Sequence, residues 1–278
     1  MRSLFLSLLV LTGCYPVASG NNADVSLALA TGCGVSPSAP LITNLNFWIR
    51  ADYFCLGDGG TISSWPDSSG NHFDLADKNA GGSSPLFYSN QINGRPVIRF
   101  KNSSLSTSSA SGMSIGFGFF LLAKRNASGN GINQLANFDD GNPFANRAQL
   151  IYFSGADEFA LDDPSILAPL ITSNLTFTTA ANTGFHLLTV TSDGTGVPYR
   201  ATLIIDGTQD KTNTANDGGF MTNGTYITVG SNNKQGEMFD GDIAEMMYFN
   251  RTMLPSEVNL AECYFSAKYA LAIGHACP

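Results

Sequence analysis

Four acids, Glu237, Asp240, Asp242 and Glu245, crowd one short stretch of the chain. Paired carboxyls are the equipment of glycoside hydrolysis, in which a nucleophile and an acid stand about 5 Å apart in retaining enzymes. In extended backbone residues i and i+2 share a face, so Asp240 and Asp242 would point the same way across Gly241. No base completes them. The three histidines, His72, His186 and His275, are far apart and lack metal-ligand spacing. His186 lies in an apolar segment, where a hydrogen-bonded core histidine is expected. Serine is abundant, yet no Gly-x-Ser-x-Gly elbow, phosphate-binding loop or dinucleotide fingerprint occurs.

A second group of acids, Asp139, Asp140, Asp157, Glu158, Asp162 and Asp163, falls between Asn137 and Leu175, where hydrophobic alternation weakens. Oxygen-rich loops can hold calcium through carboxylates and backbone carbonyls, which makes Asp139, Asp140, Asp162 and Asp163 candidate ligands. EF-hand spacing is absent, and a solvated acidic loop is the competing reading. Five cysteines are present. With Cys14 set aside, Cys33, Cys55, Cys263 and Cys277 allow three pairings, and no Cys-x-x-Cys suggests a zinc ribbon.

The N-terminus reads as a processing signal over residues 1–13. Arg2 supplies positive charge, and the apolar run Leu4–Leu11 is too short for a permanent membrane helix. Leu11-Thr12-Gly13-Cys14 resembles the bacterial lipobox, which implies that Cys14 is acylated and becomes the new N-terminus. Two acyl chains are what stable anchoring to a lipid bilayer requires. Residues 14–40, rich in Ser, Gly, Asn, Ala and Pro, suit a flexible tether. The lipobox resemblance implies a lipid-anchored protein of the bacterial cell envelope, and Tyr15 in place of aspartate points to the outer membrane.

The elements that must position any site are short strands. The 278 residues, 43% hydrophobic and 13% charged, suffice for one sizeable core. A net charge of −8 excludes a nucleic-acid backbone as the main partner. Twenty-nine glycines and many Ser, Thr and Asn residues favour strands joined by turns. Strands are expected over residues 45–51, 61–65, 96–101, 116–124, 149–153, 185–192, 200–206 and 226–230. Trp48 and Trp65 fall within such strands and are expected in the core. Asp67, in Asp-Ser-Ser-Gly-Asn, is expected to brace a turn. The run Ile243–Phe249 is almost wholly apolar, as a strand covered on both faces should be. Pro255 and Glu257 then mark a helix start. Val258, Ala261, Phe265 and Tyr269 form an apolar stripe that Leu260, Tyr264, Ala267 and Leu271 would widen.

Three blocks occur in an order that carries a resemblance. They are Asn46-Phe47-Trp48-Ile49-Arg50-Ala51-Asp52 with Ser64-Trp65-Pro66-Asp67-Ser68-Ser69-Gly70-Asn71, then Asn93-Gly94-Arg95-Pro96-Val97-Ile98-Arg99-Phe100, then Gly241-Asp242-Ile243-Ala244-Glu245 running into the closing helix. Together they resemble the LamG-like jelly-roll family of the concanavalin A-like lectin/glucanase superfamily. The resemblance implies an all-β fold over residues 41–278, a two-sheet antiparallel jelly-roll sandwich with a short C-terminal helix. Because the first and last strands are neighbours in that fold, it implies Cys55–Cys263 and Cys33–Cys277 bridges, with the local pairs Cys33–Cys55 and Cys263–Cys277 as the alternative. The laminarinase-type acid strings of the superfamily, Glu-x-Asp-x-x-Glu and Glu-x-Asp-x-Glu, do not occur, so Asp240 and Asp242 read as structural. What it implies for function is a non-catalytic module that binds a glycan or glycoprotein, with calcium as a candidate cofactor. The competing readings are a glycan-cleaving hydrolase or lyase and a structural envelope component.

Overall fold

The computed structural model describes residues 42–77, 83–108, 116–126, 133–139, 147–153, 158–162, 171–177, 184–194, 199–215, 226–231 and 238–278. The expected signal, Cys14, the tether and Cys33 lie outside the described residues. Two antiparallel sheets face each other. In the first, β15 (Thr208–Ala215), β14 (Tyr199–Ile205), β13 (His186–Asp193), β8 (Gly116–Arg125), β17 (Gly241–Phe249), β6 (Arg95–Phe100), β5 (Leu86–Ile92) and β2 (Gly60–Thr61) are neighbours in that order, and β1 (Leu45–Arg50) pairs with β17. The second runs β12 (Ile171–Thr176), β11 (Glu158–Asp162), β10 (Arg147–Phe153), β9 (Asn133–Asp139), β16 (Tyr226–Val229), β7 (Leu105–Thr107), β4 (Leu75–Asp77) and β3 (Ser64–Trp65).

The hydrophobic content of β17 follows from its place. One set of its side chains, Ile243, Met246 and Tyr248, packs between the sheets with Phe47, Phe117, Phe119, Leu121 and Phe138. The other set, Ala244, Met247 and Phe249, packs outward under helix α1 (Pro255–Tyr269) with Val258, Ala261, Phe265 and Tyr269. A register shift between Ile243 and Glu245 lets both sets pack. Buried on both faces, β17 needs apolar residues at nearly every position.

The start of α1 is fixed by Glu257, whose carboxylate accepts from Leu254 N at 2.8 Å and pairs with Arg251 at 2.6 Å. Its last carbonyls are met by side chains of the turn between β5 and β6. Asn93 Nδ2 donates to Tyr269 O at 2.7 Å, and Arg95 Nε donates to Lys268 O at 3.3 Å. The four-residue stripe is buried as expected. Leu260 and Ala267, expected to widen it, instead face solvent, and Glu262, Cys263 and Lys268 take buried positions. Their partners explain this: Lys268 is ion-paired with Glu245, Cys263 is disulfide-bonded, and Glu262 lies 2.8 Å from His275 Nε2.

Three expectations change. The single strand over residues 61–65 is two, since β2 pairs with β5 in the first sheet and β3 pairs with β4 in the second, with buried Ile62 between them. The weakly alternating stretch after Asn137 forms the end of β9, all of β10 and β11, and most of β12. The Cys55–Cys263 and Cys33–Cys277 bridges are overturned as well. Cys263 bonds Cys277, 14 residues away, with Cα atoms 5.5 Å apart, while Cys55 is disulfide-bonded as well. The chain folds back after Ala270, whose φ of 51° ends the helix, and the returning tail carries Cys277 to the helix flank.

Candidate ligand-binding surface

Of the four clustered acids, Glu237 lies outside the described residues and Asp240 is half-buried. Asp242 is 1% exposed and is held by Arg99 Nε at 2.6 Å, Arg99 Nη2 at 2.9 Å and Asn126 Nδ2 at 3.2 Å. Glu245 is wholly buried between sheet and helix. It accepts from Trp48 Nε1 at 2.5 Å, Tyr264 OH at 2.9 Å, Tyr269 OH at 2.7 Å and Lys268 Nζ at 2.6 Å. Lys268 also pairs with Asp52 at 3.1 Å. Burial and then the Glu245 charge push the Tyr269 hydroxyl well above its ordinary range, so it stays a donor. Saturated and buried, Asp242 and Glu245 join elements and present nothing to a substrate.

His72 is exposed, and the other two histidines are engaged. His186 Nδ1 stands 2.7 Å from Asp206 Oδ2 with its ring edge-on to Phe177, and His275 Nε2 stands 2.8 Å from Glu262 Oε2. Burial raises the pKa of Glu262, against the Thr189 hydroxyl and His275, which favour its charged form. Asp67 accepts from the backbone N–H groups of Trp48, Ser69 and Phe73, which makes it the expected turn brace. Trp48 and Trp65 are both buried. Of the calcium candidates, Asp140 and Asp163 lie outside the described residues, and Asp139 and Asp162 are described in backbone alone.

One sheet face is not covered by the helix. Helix α1 covers the outer side of the first sheet at β8 and β17. On the outer side of the second sheet, cross-strand register lines up Ser64, Ala76, Ser106, Thr228 and Asn137 on β3, β4, β7, β16 and β9. The row continues in backbone register through Leu150 to Asp162. Opposed residues of an antiparallel pair share a face, and the 2.8 Å contact between the Ser106 and Thr228 hydroxyls confirms it. Tyr226, two residues from Thr228, projects on the same side and is half-buried. Its backbone register partner is Asp139.

The row is graded. Ser64 is exposed, Ala76 and Ser106 are intermediate, and Thr228 and Asn137 are each 2% exposed. Its described side chains are three hydroxyls, one methyl and one amide, all neutral, with one phenol beside them. The hydroxyls and the amide bond polyhydroxylated ligands in either direction, as donor or acceptor, and a phenol ring offers a flat face to C–H groups. The alternation in Tyr226-Ile227-Thr228-Val229, with Ile227 and Val229 in the core, was the sequence signal for this face. A smaller groove of about 230 Å³ lies beside the start of α1, lined by Thr191, Thr202, Ile204, Gln209, Met253 and Asn259 among others.

Residues 127–259 match the model of a family described as the concanavalin A-like lectin/glucanases superfamily. No curated protein sequence matches the chain. Among solved structures, the binding domain of Paraclostridial Mosquitocidal Protein 1 is similar at a TM-score of 0.53 and 17% identity, over 81% of this chain and 52% of that one. Domain 4 of AbnA, a GH43 extracellular arabinanase from Geobacillus stearothermophilus, in complex with arabinotriose, has a TM-score of 0.53 and 15% identity, over 73% of this chain and 99% of that one. The Botulinum neurotoxin type G receptor binding domain has a TM-score of 0.50 and 15% identity, over 80% of this chain and 51% of that one. The chain thus spans about half the length of the two toxin domains and nearly all of the arabinanase domain. At these identities the likeness is one of fold. In matched stretch and sheet topology, this jelly roll is similar to the concanavalin A-like lectin/glucanases superfamily.

Proposed function

We propose that the protein is a non-catalytic binding module for glycans or glycoproteins, held at a bacterial cell envelope, in its outer membrane, through acylated Cys14. The observation that carries the reading is the outer face of the second sheet, where a neutral row of small side chains, three of them hydroxyls, runs from exposed Ser64 to buried Asn137 beside Tyr226. A face of that chemistry suits a sugar better than a charged or wholly apolar partner. Two similar structures, a receptor binding domain and a domain in complex with arabinotriose, support the same reading. Calcium is proposed as an auxiliary ligand of Asp139, Asp140, Asp162 and Asp163.

A glycan array probed with and without calcium, followed by a reducing-sugar assay on each hit, tests the proposal. Binding without sugar release is the expected result. Release of sugar would replace it with a glycan-cleaving enzyme, and silence across the array would replace it with a structural envelope component. Metabolic labelling with a palmitate analogue should mark the protein and leave a Cys14→Ala variant unmarked. An unlabelled wild type overturns the anchor.

A further inference from the structure

Where the segment before α1 comes down onto the first sheet, it bounds the groove of about 230 Å³ beside the helix start. Its wall is fixed by packing. Thr252 Oγ1 donates to Asp193 O at 2.8 Å, and Met253 lies so close over Gly118 that a Cβ there would collide with its sulfur. Met253 and Val258 are both buried, and half-buried Ile204 of β14 packs against their cluster. Thr202 shares the outer face with Ile204, two residues on, and Thr191 is its register partner on β13. Asn259 on the helix and Gln209 on β15 are exposed and bring primary amides to the rim.

This lining selects its ligand. None of the described residues in it is charged, so an ionised group would leave water without gaining a partner. None is aromatic, so the flat ring on which the C–H face of a sugar rests is missing. The apolar part is aliphatic and includes a methionine, whose flexible thioether adapts to varied aliphatic shapes. Threonine hydroxyls and primary amides donate and accept, as the N–H and C=O of a peptide group require. The volume falls below the roughly 300 to 1,000 Å³ of pockets that take drug-sized molecules, a size for one side chain with its flanking peptide groups.

We propose that this groove is a docking site for an extended polypeptide segment of a partner protein. One uncharged aliphatic side chain sits between Ile204, Met253 and Val258, and the main chain beside it bonds Asn259 and Gln209. The groove belongs to the helix-bearing sheet, so the site stands or falls apart from the sugar-binding reading of the second sheet.

The full chain with carbon-13 methionine methyl groups reports on the groove through Met253, whose signal a Met253→Leu variant identifies. The probes are blocked tripeptides, acetyl-Ala-X-Ala-amide with leucine, isoleucine, glycine, aspartate or lysine at X, and the methyl glycosides of glucose and galactose. The leucine and isoleucine peptides should shift the Met253 methyl signal saturably. The glycine peptide should bind about tenfold more weakly, for want of a side chain to bury, and the charged peptides and the glycosides should leave the signal in place. Asn259→Ala, at an exposed helix position, should weaken the leucine peptide about fivefold. A Met253 signal that answers to a glycoside and not to the leucine peptide would make the groove a sugar subsite. A signal that no peptide moves, or that glycine moves as readily as leucine, removes the docking site.

Discussion

Glu245 shows how far one side chain can be committed to architecture. It has no exposed surface and receives a proton donor from β1, through Trp48, and three more from the helix. A buried ion pair need not stabilise relative to an apolar replacement of the whole cluster, yet removing one partner strands the other. Glu245→Ala leaves Lys268 buried with Asp52 as its remaining carboxylate. It should cost about 3 to 5 kcal/mol of stability by urea denaturation. Glu262 behaves oppositely, because burial raises its pKa in the folded state. The folded protein therefore holds that proton more tightly than the unfolded chain. The contribution to stability is full below the unfolded pKa, about 4.3, and is lost as pH rises through the folded value. Glu262→Gln should unfold at a higher temperature than wild type at neutral pH, and the gap should close as the solution is acidified through the ordinary glutamate range. A constant gap across that range would mean the carboxyl does not titrate as burial dictates.

At the scale of elements, legibility followed burial on two faces. Ile243–Phe249 and the stripe Val258, Ala261, Phe265 and Tyr269 were readable because one period governs each, and both lie where that period puts them. Strands β9 to β12 were less readable because polar residues such as Gln134, Asn137 and Ser173 are buried within them, which erases alternation as a signal. The buried face of α1 was misread at Leu260 and Ala267 since periodicity cannot anticipate that Glu262 and Lys268 find ion partners. Disulfide pairing failed for a related reason: it depended on the path of eight residues after the helix, which no hydrophobic pattern specifies. Close approach between elements is set at Gly230, the residue after β16, with φ of 89°. A Cβ there would stand 2.3 Å from Phe100 Cδ1 and 2.7 Å from Ser103 O, both buried. Gly230→Ala should cost about 2 to 4 kcal/mol, from left-handed backbone plus overpacking, read as a shift in urea midpoint at unchanged m-value.

Across the whole molecule, the two sheets have unequal fates. The closing helix occupies the outer side of the first and not that of the second, and this asymmetry selects the candidate face. The sequence did not single it out, because Ser64, Ala76, Ser106, Thr228 and Asn137 come from five separate strands and meet only through register. If that face holds the ligand, Tyr226→Ala should lower affinity for an array-identified glycan by ~2 kcal/mol or more, about thirtyfold, the loss typical of an aromatic anchor. Ser64→Ala should weaken it as well, by removing an exposed hydroxyl at the edge of the row. Asn259→Ala, in the groove beside α1, should leave affinity unchanged. Titration calorimetry on variants with wild-type circular dichroism measures all three. The reverse pattern, with Asn259→Ala weakening binding and Tyr226→Ala leaving it intact, would move the ligand to the groove where α1 begins and leave the second sheet's outer face without a sugar.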